Sequence, residues 1–512
     1  MIYLFAKSNY CNSGNTFGAI RIPPGSLGGN DKADRMAKSW SLGTLFLRFL
    51  GLLEIAVIRV RETLKIDSLF MVASMTALCT ACSHTPPDAQ PLAQWSPEHN
   101  LEVRAKQARG RSPEIAILLA FSGGGTRAAA LSYGVMKELA QTPVRTALGK
   151  RSLLQEVDMI SSVSGGSFTA AYYGLYGDRL FVDYEEKFLR ADVQGALIGK
   201  TLSPSNWPKL ASSRYGRGDL AAEYYDKILF HGATISALQR PDSPWVVINS
   251  TDLSTGVRVP FIQEMFDLFC VDVGSYSLAR AVAASSGVPL IFSPIAIQNF
   301  SGTCGFERPE WVADALAEEE PTSRKVVARQ VEGYLNREQQ PWLHLVDGGI
   351  SDNLGLRSYY RTLELAPDSS RPSKYLPHFE ARHVLLVLVN ANSHPHQDWA
   401  KVQSSPPFLE VAGSVTGDQI TRFSDDTILI TREVMERWVQ ENSTPGRPVT
   451  FSFVEVSFDQ VKSVEERRYL DNIGTNFRLS NEEVDRLISA GQELLRQSNV
   501  YQEFVREVRE VN

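Results

Sequence analysis

The stretch EIAILLAFSGGGTRAAALSYGVMKELA, residues 114–140, decides the fold class. It begins with a continuous apolar run of strand length (114–121), and it continues through three glycines into the spacing of an amphipathic helix. VDMISSV at 157–163, followed by GGSFTAAYYGLY, repeats this order, and further apolar runs lie at 245–251 and 383–390. Fully apolar strands that alternate with helices predict a three-layer α/β fold, with a mostly parallel central sheet covered by helices on both faces.

The composition is typical of a folded protein and does not favour nucleic acid as a partner. The 512 residues are 43% hydrophobic and 21% charged, with a formal net charge of −6. This charge gives no broad basic face, and we find no nucleic-acid-binding motif, so we expect no nucleic-acid partner. The eight histidines do not fall at metal-ligand spacing, so we expect neither a metal nor another cofactor.

Residues 1–82 are predicted to be an N-terminal extension that ends in an export signal. Basic residues at 59–65 precede LFMVASMTALCTAC at 69–82, and a basic region, a short apolar region and small residues form a secretory signal. Cys82 stands where a bacterial lipoprotein signal places its lipidated cysteine. The prediction is a lipoprotein anchored in the bacterial cell envelope, in the outer membrane or periplasm. The alternative is a buried helix that ends in chance cysteines.

A second apolar run, at 42–58, precedes this signal. Arg48 and Glu54 interrupt it, and because a spanning helix needs about 18 or more apolar residues, we expect it not to cross a membrane. Since an export signal normally begins near the start of a chain, we hypothesise that residues 1–58 lie upstream of the true start.

The remaining chain divides into a linker, one large domain and a short tail. The polar, proline-rich sequence at 85–100 predicts a linker over 83–111. The domain is expected over 112–500, followed by a tail at 501–512. Within the domain, the charged stretch 307–340 is predicted to be a surface insertion, either a solvated pair of helices or a lid over the site.

LSNEEVDRLISAGQELL at 479–495 predicts an amphipathic helix with a packing role. Ser480 and Glu483 have the spacing of a capping box at its N-terminus. The apolar stripe of this helix consists of Val484, Leu487, Ile488, Gly491 and Leu495.

Ser164 is the candidate nucleophile. It follows the strand at 157–163 and precedes Gly165 and Gly166 at the start of a helix, as in a nucleophile elbow, where a strained turn exposes the hydroxyl. Ser162 stands where the G-x-S-x-G pattern has its first glycine. A Ser-Gly pair also occurs in ordinary turns, so the motif needs partners elsewhere.

The glycine turn and an aspartate are the candidate partners of this serine. Gly123, Gly124 and Gly125 offer backbone N–H groups at a helix N-terminus for an oxyanion. A phosphate loop is the rival, but no Lys-Ser or Lys-Thr pair follows the glycines. Asp347 ends the strand in LHLVDGG and is the candidate base, although an Asp-Gly pair is also a common turn.

Together these motifs resemble those of the patatin-like phospholipase family, over about residues 112–500. The family's D-G-G-G-x-R-G motif is similar to 122–128, with Ser122 for Asp and Ala128 for Gly, and its D-G-G/A motif matches 347–349. The resemblance implies hydrolysis of lipid carboxylic esters, as by a phospholipase A or lysophospholipase, with a phospholipid or another lipid ester as substrate. It also implies a Ser164–Asp347 dyad without histidine, metal or cofactor.

Two other functions remain open at this point. The first is an esterase with a Ser-Asp-His triad that uses His394 or His396, which follow the strand at 383–390. The second is a non-catalytic lipid-binding lipoprotein, because fold does not settle function.

Three further residues have two interpretations each. Arg127 binds a lipid phosphate or, as we favour, has a structural role. Cys270 and Cys304 pair as a disulfide in an oxidising compartment, or they remain two buried thiols.

Overall fold

A sheet of eight strands forms the centre of the molecule in the computed structural model of this chain. The structure describes residues 89–96, 110–364, 381–394 and 403–510, apart from 404 and 407, all within the unit Ala81–Asn512. Two of the strands found there, β2 and β3 below, form a separate hairpin. In chain order the strands are β1 (Ile115–Phe121), β2 (Pro143–Thr146), β3 (Gly149–Ser152), β4 (Val157–Val163), β5 (Trp245–Asp252), β6 (Arg258–Pro260), β7 (Ile295–Gln298), β8 (Trp342–Asp347), β9 (His383–Asn390) and β10 (Thr450–Ser457).

The sheet is mostly parallel, with one reversal that matters for the site. Its strands lie in the order β10-β9-β1-β4-β5-β8-β7, and β6 pairs with β5. Strands β10, β9, β1, β4 and β5 are parallel. Strand β8 is antiparallel to both β5 and β7. The predicted α/β fold with a mostly parallel central sheet is confirmed, whereas nothing in the sequence indicated the direction of β8.

Helices flank this sheet and are joined to it by loops and short 3₁₀ turns. Two segments, Leu180–Leu189 and Asp226–Phe230, are π-helical. The α-helices of the described residues are α1 (Gly125–Gln141), α2 (Gly165–Tyr176), α3 (Val193–Leu202), α4 (Trp207–Leu210), α5 (Arg217–Tyr225), α6 (Gln263–Phe266), α7 (Leu278–Ser285), α8 (Glu310–Ala317), α9 (Ser323–Leu335), α10 (Gly349–Asp352), α11 (Arg357–Glu364), α12 (Phe408–Asn442), α13 (Val464–Asp471), α14 (Asn481–Gln497) and α15 (Asn499–Glu510).

Two hydrophobic cores lie on opposite faces of the sheet. Since side chains alternate along a strand, Leu119 and Phe121 of β1 enter one core, while Leu118 and Ala120 enter the other. The first core also takes the apolar faces of α1, α2, α7 and α14. The second takes residues of α11 and α12, such as Trp438. Burial on both faces is the reason that these strands are apolar without interruption.

The predicted amphipathic helix near the C-terminus is confirmed as α14. The Ser480 side chain accepts a hydrogen bond from the Glu483 N–H group, and Glu483 completes the capping box. The buried residues of α14 are Val484, Leu487, Ile488, Gly491 and Leu495, the predicted stripe.

The C-terminal residues form a packed helix instead of the expected tail. Helix α15 buries Tyr501, Phe504 and Val508. These residues recur at the spacing of one helix face, so their burial stabilises a helix that continues the domain. The predicted domain boundary at residue 500 lies before this pattern and is therefore wrong.

The charged stretch 307–340 contains two helices, α8 and α9, in agreement with a helical pair. Their inner faces bury Val312, Ala328 and Tyr334. The Tyr334 hydroxyl bonds to Asp252 at the end of β5, at a distance of 3.2 Å. The pair therefore packs on the domain through apolar side chains, although its outer face is charged.

Part of the predicted linker packs against the domain near a disulfide. Cys270 and Cys304, both buried, are joined by a disulfide. The Leu92 N–H group donates to the Cys270 carbonyl, and the Trp95 N–H group donates to the Cys304 carbonyl, each at 2.8 Å. Residues 89–96 are thus bound to the domain by backbone hydrogen bonds and do not form a free tether. Cys82 and residues 1–88 lie outside the described residues.

Candidate active site

Ser164 occupies a strained turn between β4 and α2. Its backbone has φ 50° and ψ −119°, and it is one of four described residues other than glycine with positive φ. Gly165 follows at a point of close backbone approach, because a Cβ atom there would lie 1.9 Å from the Gly125 carbonyl oxygen. This geometry is that of a nucleophile elbow, in which the elbow and the glycine turn are in direct contact.

Asp347 meets Ser164 through a hydrogen bond at the end of β8. The Ser164 Oγ donates to Asp347 Oδ2 at 2.9 Å. Strand β5 extends past β4, whose last pairing joins Val163 to Asn249. Strand β8 runs antiparallel along this extension and ends with Asp347 opposite Ser250. Asp347 therefore reaches the elbow from a strand that runs in the direction opposite to β4 and β5.

The Asp347 carboxyl group lies in a buried, weakly polar environment. Burial raises its pKa to about 6, against the smaller opposing effects of hydrogen bonds from the Gly349 N–H group and the Ser164 hydroxyl. The Gly349 N–H group donates to Oδ1 at 2.8 Å, which leaves Oδ2 for Ser164. A carboxylate with a raised pKa is a stronger base than an exposed aspartate, and Oδ2 is aimed at the hydroxyl proton.

The glycine turn offers two unoccupied donors beside Ser164. The Gly123 N–H group already donates to the Asn353 carbonyl at 2.9 Å. For the N–H groups of Gly124 and Gly125 the described part of the chain supplies no acceptor, and these residues have φ of 135° and 60°. Both lie at the N-terminus of α1, where the helix dipole favours negative charge. Of the three predicted oxyanion glycines, Gly124 and Gly125 are the ones with free donors.

Comparison with known families identifies this arrangement. Residues 119–359 match the family described as "Patatin-like phospholipase", a segment that includes the glycine turn, the elbow and Asp347. This segment is a patatin-like phospholipase domain. The match supports a lipid acyl hydrolase, as the sequence predicted.

Solved structures of similar architecture come from a human enzyme. Human GIVD cytosolic phospholipase A2 is 14% identical, with a TM-score of 0.41, and the match covers 83% of this chain and 68% of that chain. Its complex with methyl gamma-linolenyl fluorophosphonate gives 14% identity, a TM-score of 0.38, and coverage of 82% and 66%. Among curated proteins, no sequence matches this chain significantly.

Ser285 and Asn249 form hydrogen bonds that hold the elbow in place, and the sequence indicated no role for either residue. The Ser164 N–H group donates to Ser285 Oγ at 2.9 Å, and the Ser285 hydroxyl donates to the Asn249 carbonyl at 2.6 Å. The Asn249 side-chain amide donates to the Ser162 carbonyl at 2.9 Å. Ser285 thus joins the elbow to β5. Its only signal in the sequence was its place in ARAVAASSGVPLIFSPI (279–295), a segment similar to one in the family.

Arg127 forms hydrogen bonds to three protein oxygens within the patatin-like domain. Its guanidinium is buried and donates to the Ala391 carbonyl at 2.9 Å, to Thr475 Oγ1 at 3.1 Å, and to the Ile473 carbonyl. Burial lowers its pKa to about 10, and the charge of Asp471 opposes this shift. Its donors point at protein oxygens, so the favoured interpretation fits the geometry and the lipid-phosphate interpretation does not.

Of the two histidines of the alternative triad, His394 lies among the described residues, and it takes no part in the hydrogen bonds of Ser164 and Asp347. His394 is exposed, and its backbone N–H group donates to Asp471 at 3.2 Å. Both carboxylate oxygens of Asp347 are engaged by Ser164 and Gly349. His396 lies outside the described residues.

The described part of the chain offers no candidate for a membrane span or a metal cluster. None of its helices has both the length and the apolar character needed to cross a membrane. No group of three His, Cys, Asp or Glu side chains among these residues could hold a metal ion.

Proposed function

We propose that the patatin-like domain hydrolyses lipid carboxylic esters, as a phospholipase A or lysophospholipase does, through a Ser164–Asp347 dyad. The hydrogen bond of 2.9 Å from Ser164 Oγ to Asp347 Oδ2 is the observation that carries this proposal. The strained elbow, the raised pKa of Asp347 and the free donors of the glycine turn give it further support.

In the first half of the reaction Ser164 attacks the ester carbonyl. Its Oγ forms a bond to the carbonyl carbon while Asp347 takes the hydroxyl proton, and the carbonyl oxygen becomes an oxyanion. The free N–H groups of Gly124 and Gly125 are the proposed donors to this oxyanion. Loss of one such donor typically costs about 3 kcal/mol of transition-state stabilisation. The carbon–oxygen bond of the ester then breaks, and the leaving alcohol takes the proton from Asp347.

In the second half water releases the acyl group. Asp347 takes a proton from a water molecule whose oxygen attacks the acyl carbon, and the oxyanion forms again at the same donors. The bond between Ser164 and the acyl carbon breaks, the serine recovers its proton from Asp347, and a fatty acid leaves.

We further infer that the domain acts at a membrane of the bacterial envelope, held by a lipid on Cys82. The signal-like sequence at 69–82 supports this location. The Cys270–Cys304 disulfide also supports it, because disulfides persist in oxidising compartments.

Hydrolysis of defined phospholipids and of a soluble p-nitrophenyl ester tests the dyad. Ser164→Ala and Asp347→Asn are each expected to lower kcat by about a thousandfold or more. His394→Ala and His396→Ala serve as controls, and both should retain activity. Full activity in the Ser164→Ala variant would refute the proposal, and loss of activity in a histidine variant would favour the triad.

A further inference from the structure

The loop that follows α7 begins at the active site. The Asp347 N–H group donates to the Gly287 carbonyl at 3.0 Å, and the Gly348 N–H group donates to the Ser285 carbonyl at 3.1 Å. Leu290 comes three residues after Gly287. Because three residues span at most about 11 Å, the Cα atom of Leu290 lies within that distance of Gly287.

The tip of this loop, Leu290 and Ile291, presents two large apolar side chains to solvent. Leu290 is 92% exposed and Ile291 is 59% exposed. The next residue, Phe292, packs against the core, with its ring 6.5 Å from that of Phe477. The loop is therefore fixed to the domain by one apolar residue, while the two before it face outward.

Leu290 is also held in a backbone conformation that disfavours it. Its φ is 74°, a left-handed value that costs free energy for a residue with a branched, bulky side chain. Exposure and backbone strain at the same leucine both raise the free energy of the folded state. Strain of this kind tends to mark functional sites.

A cation lies at the base of the tip. Arg217, an exposed residue of α5, donates through Nη2 to the Leu290 carbonyl at 2.9 Å. The carboxylates of the same helix are paired with other cations, Asp219 with Arg280 and Glu223 with Lys209. The positive charge of Arg217 is therefore placed to bind an anionic group beside the loop, such as a lipid phosphate.

We propose that Leu290 and Ile291 are a membrane-inserting tip, which places the active site against a phospholipid surface with anionic headgroups. This proposal rests on the proposed function, since a lipid ester must reach Ser164 from such a surface. The two side chains enter the acyl boundary, and Arg217 binds headgroup phosphates at the level above them. A lipid surface suits the tip better than a protein partner does, because two side chains and one cation form a small contact beside a lipid site.

The test uses the full chain with Cys82→Ser, so that no acyl anchor contributes, and with Ser164→Ala for binding. Co-sedimentation with vesicles of phosphatidylcholine and phosphatidylglycerol compares Leu290→Gln/Ile291→Gln with Leu429→Gln/Ile430→Gln. The second pair is a matched control, a Leu-Ile pair on α12 that is 66% and 41% exposed. The tip variant should bind about tenfold more weakly, and the control should bind like the parent.

Kinetics separates this proposal from the proposed function. With Ser164 intact, the tip variant should cleave vesicle phospholipid about tenfold more slowly but a soluble short-chain ester within about twofold of the parent rate. Equal vesicle binding by the tip and control variants would overturn the proposal and leave the hydrolase function standing. Tip variants that change only the oligomeric state would also overturn it. A parent chain that cleaves neither substrate would refute the proposed function, while the binding assay would still decide the role of the tip.

Discussion

In the proposed dyad, the Asp347 carboxyl group sets the pH range in which Ser164 can react. A base must be deprotonated to accept a proton, and burial raises the pKa of this group to about 6. An exposed aspartate, with a pKa of about 3.9, would already be ionised at pH 5.

We therefore expect kcat/KM to fall as the pH drops below about 6 and to reach a plateau above about pH 7. A pH–rate profile with a soluble ester, at constant ionic strength, measures this dependence of kcat/KM on pH. A rate that stays constant between pH 5 and pH 7 would show that the Asp347 carboxyl group does not act as the base.

Ser285 is a positioning residue, because it contacts the backbone of the nucleophile and not the reacting atoms. Its hydroxyl accepts from the Ser164 N–H group and donates to the Asn249 carbonyl, so it holds the strained turn against β5. Without this hydroxyl, the buried N–H group of Ser164 loses its acceptor, and the elbow is free to relax.

Ser285→Ala should lower kcat by about tenfold with little change in KM, since the defect lies in the geometry of attack. Ser286→Ala is the matched control. Ser286 is the next residue and is also buried, but its hydroxyl donates to the Val282 carbonyl of α7 at 2.8 Å and not to the elbow or β5. If the two variants lost kcat to the same extent, or if both lost only stability, Ser285 would have a packing role and no positioning role.

At the scale of elements, helix α14 fixes the helix that carries the glycine turn. Helices α1 and α14 cross in backbone contact, because a Cβ atom on Gly491 would lie 2.4 Å from the Leu131 carbonyl oxygen. Arg127, at the start of α1, bonds to the loop that precedes α14. The position of Gly124 and Gly125 thus depends on a helix more than 350 residues away in the chain.

Gly491→Ala should destabilise the domain by about 1 to 3 kcal/mol, although alanine is the better helix former, because the added methyl group forces the helices apart. Gly333→Ala in α9 is the control, since a Cβ atom there meets nothing within 4 Å. That change should stabilise by up to about 1 kcal/mol. Denaturant unfolding measures both, and a stabilised Gly491→Ala variant would contradict the close contact.

The direction of β8 could not be predicted from the apolar pattern of its residues. The sequence predicted strands at 157–163 and 343–347, and these lead to the candidate residues Ser164 and Asp347. An apolar strand has the same composition in either direction, so the pattern cannot say that β8 is antiparallel. That direction is what brings Asp347 to the elbow from the extended end of β5.

At the scale of the whole molecule, the disulfide between Cys270 and Cys304 connects segments of the domain that are far apart in the chain. It closes a loop with a sequence separation of 34 residues between Cys270 and Cys304. Residues 89–96 hydrogen-bond to the carbonyls of both cysteines. The disulfide therefore stabilises the region of the domain that residues 89–96 contact.

Reduction should lower the free energy of unfolding by about 3 to 4 kcal/mol, the loop-closure value for this separation. Thermal unfolding with and without dithiothreitol measures the change. The Cys270→Ser/Cys304→Ser variant should have about the stability of the reduced parent in both conditions and be insensitive to the reductant. A parent chain that unfolds at the same temperature in both conditions would contradict the prediction.

By itself, the sequence determined the α/β class, the family, the candidate nucleophile and base, and the stripe of α14, because each of these is written in local patterns of apolar residues, glycines and polar side chains. Only the tertiary structure decided which groups meet. The direction of β8, the hydrogen bond from Ser164 to Ser285 and the engagement of the Gly123 N–H group all depend on contacts between residues far apart in the chain. So does the hydrogen bond from Arg217 to Leu290 at the exposed tip. No local pattern encodes such contacts, because they are fixed by how the cores on the two faces of the sheet pack.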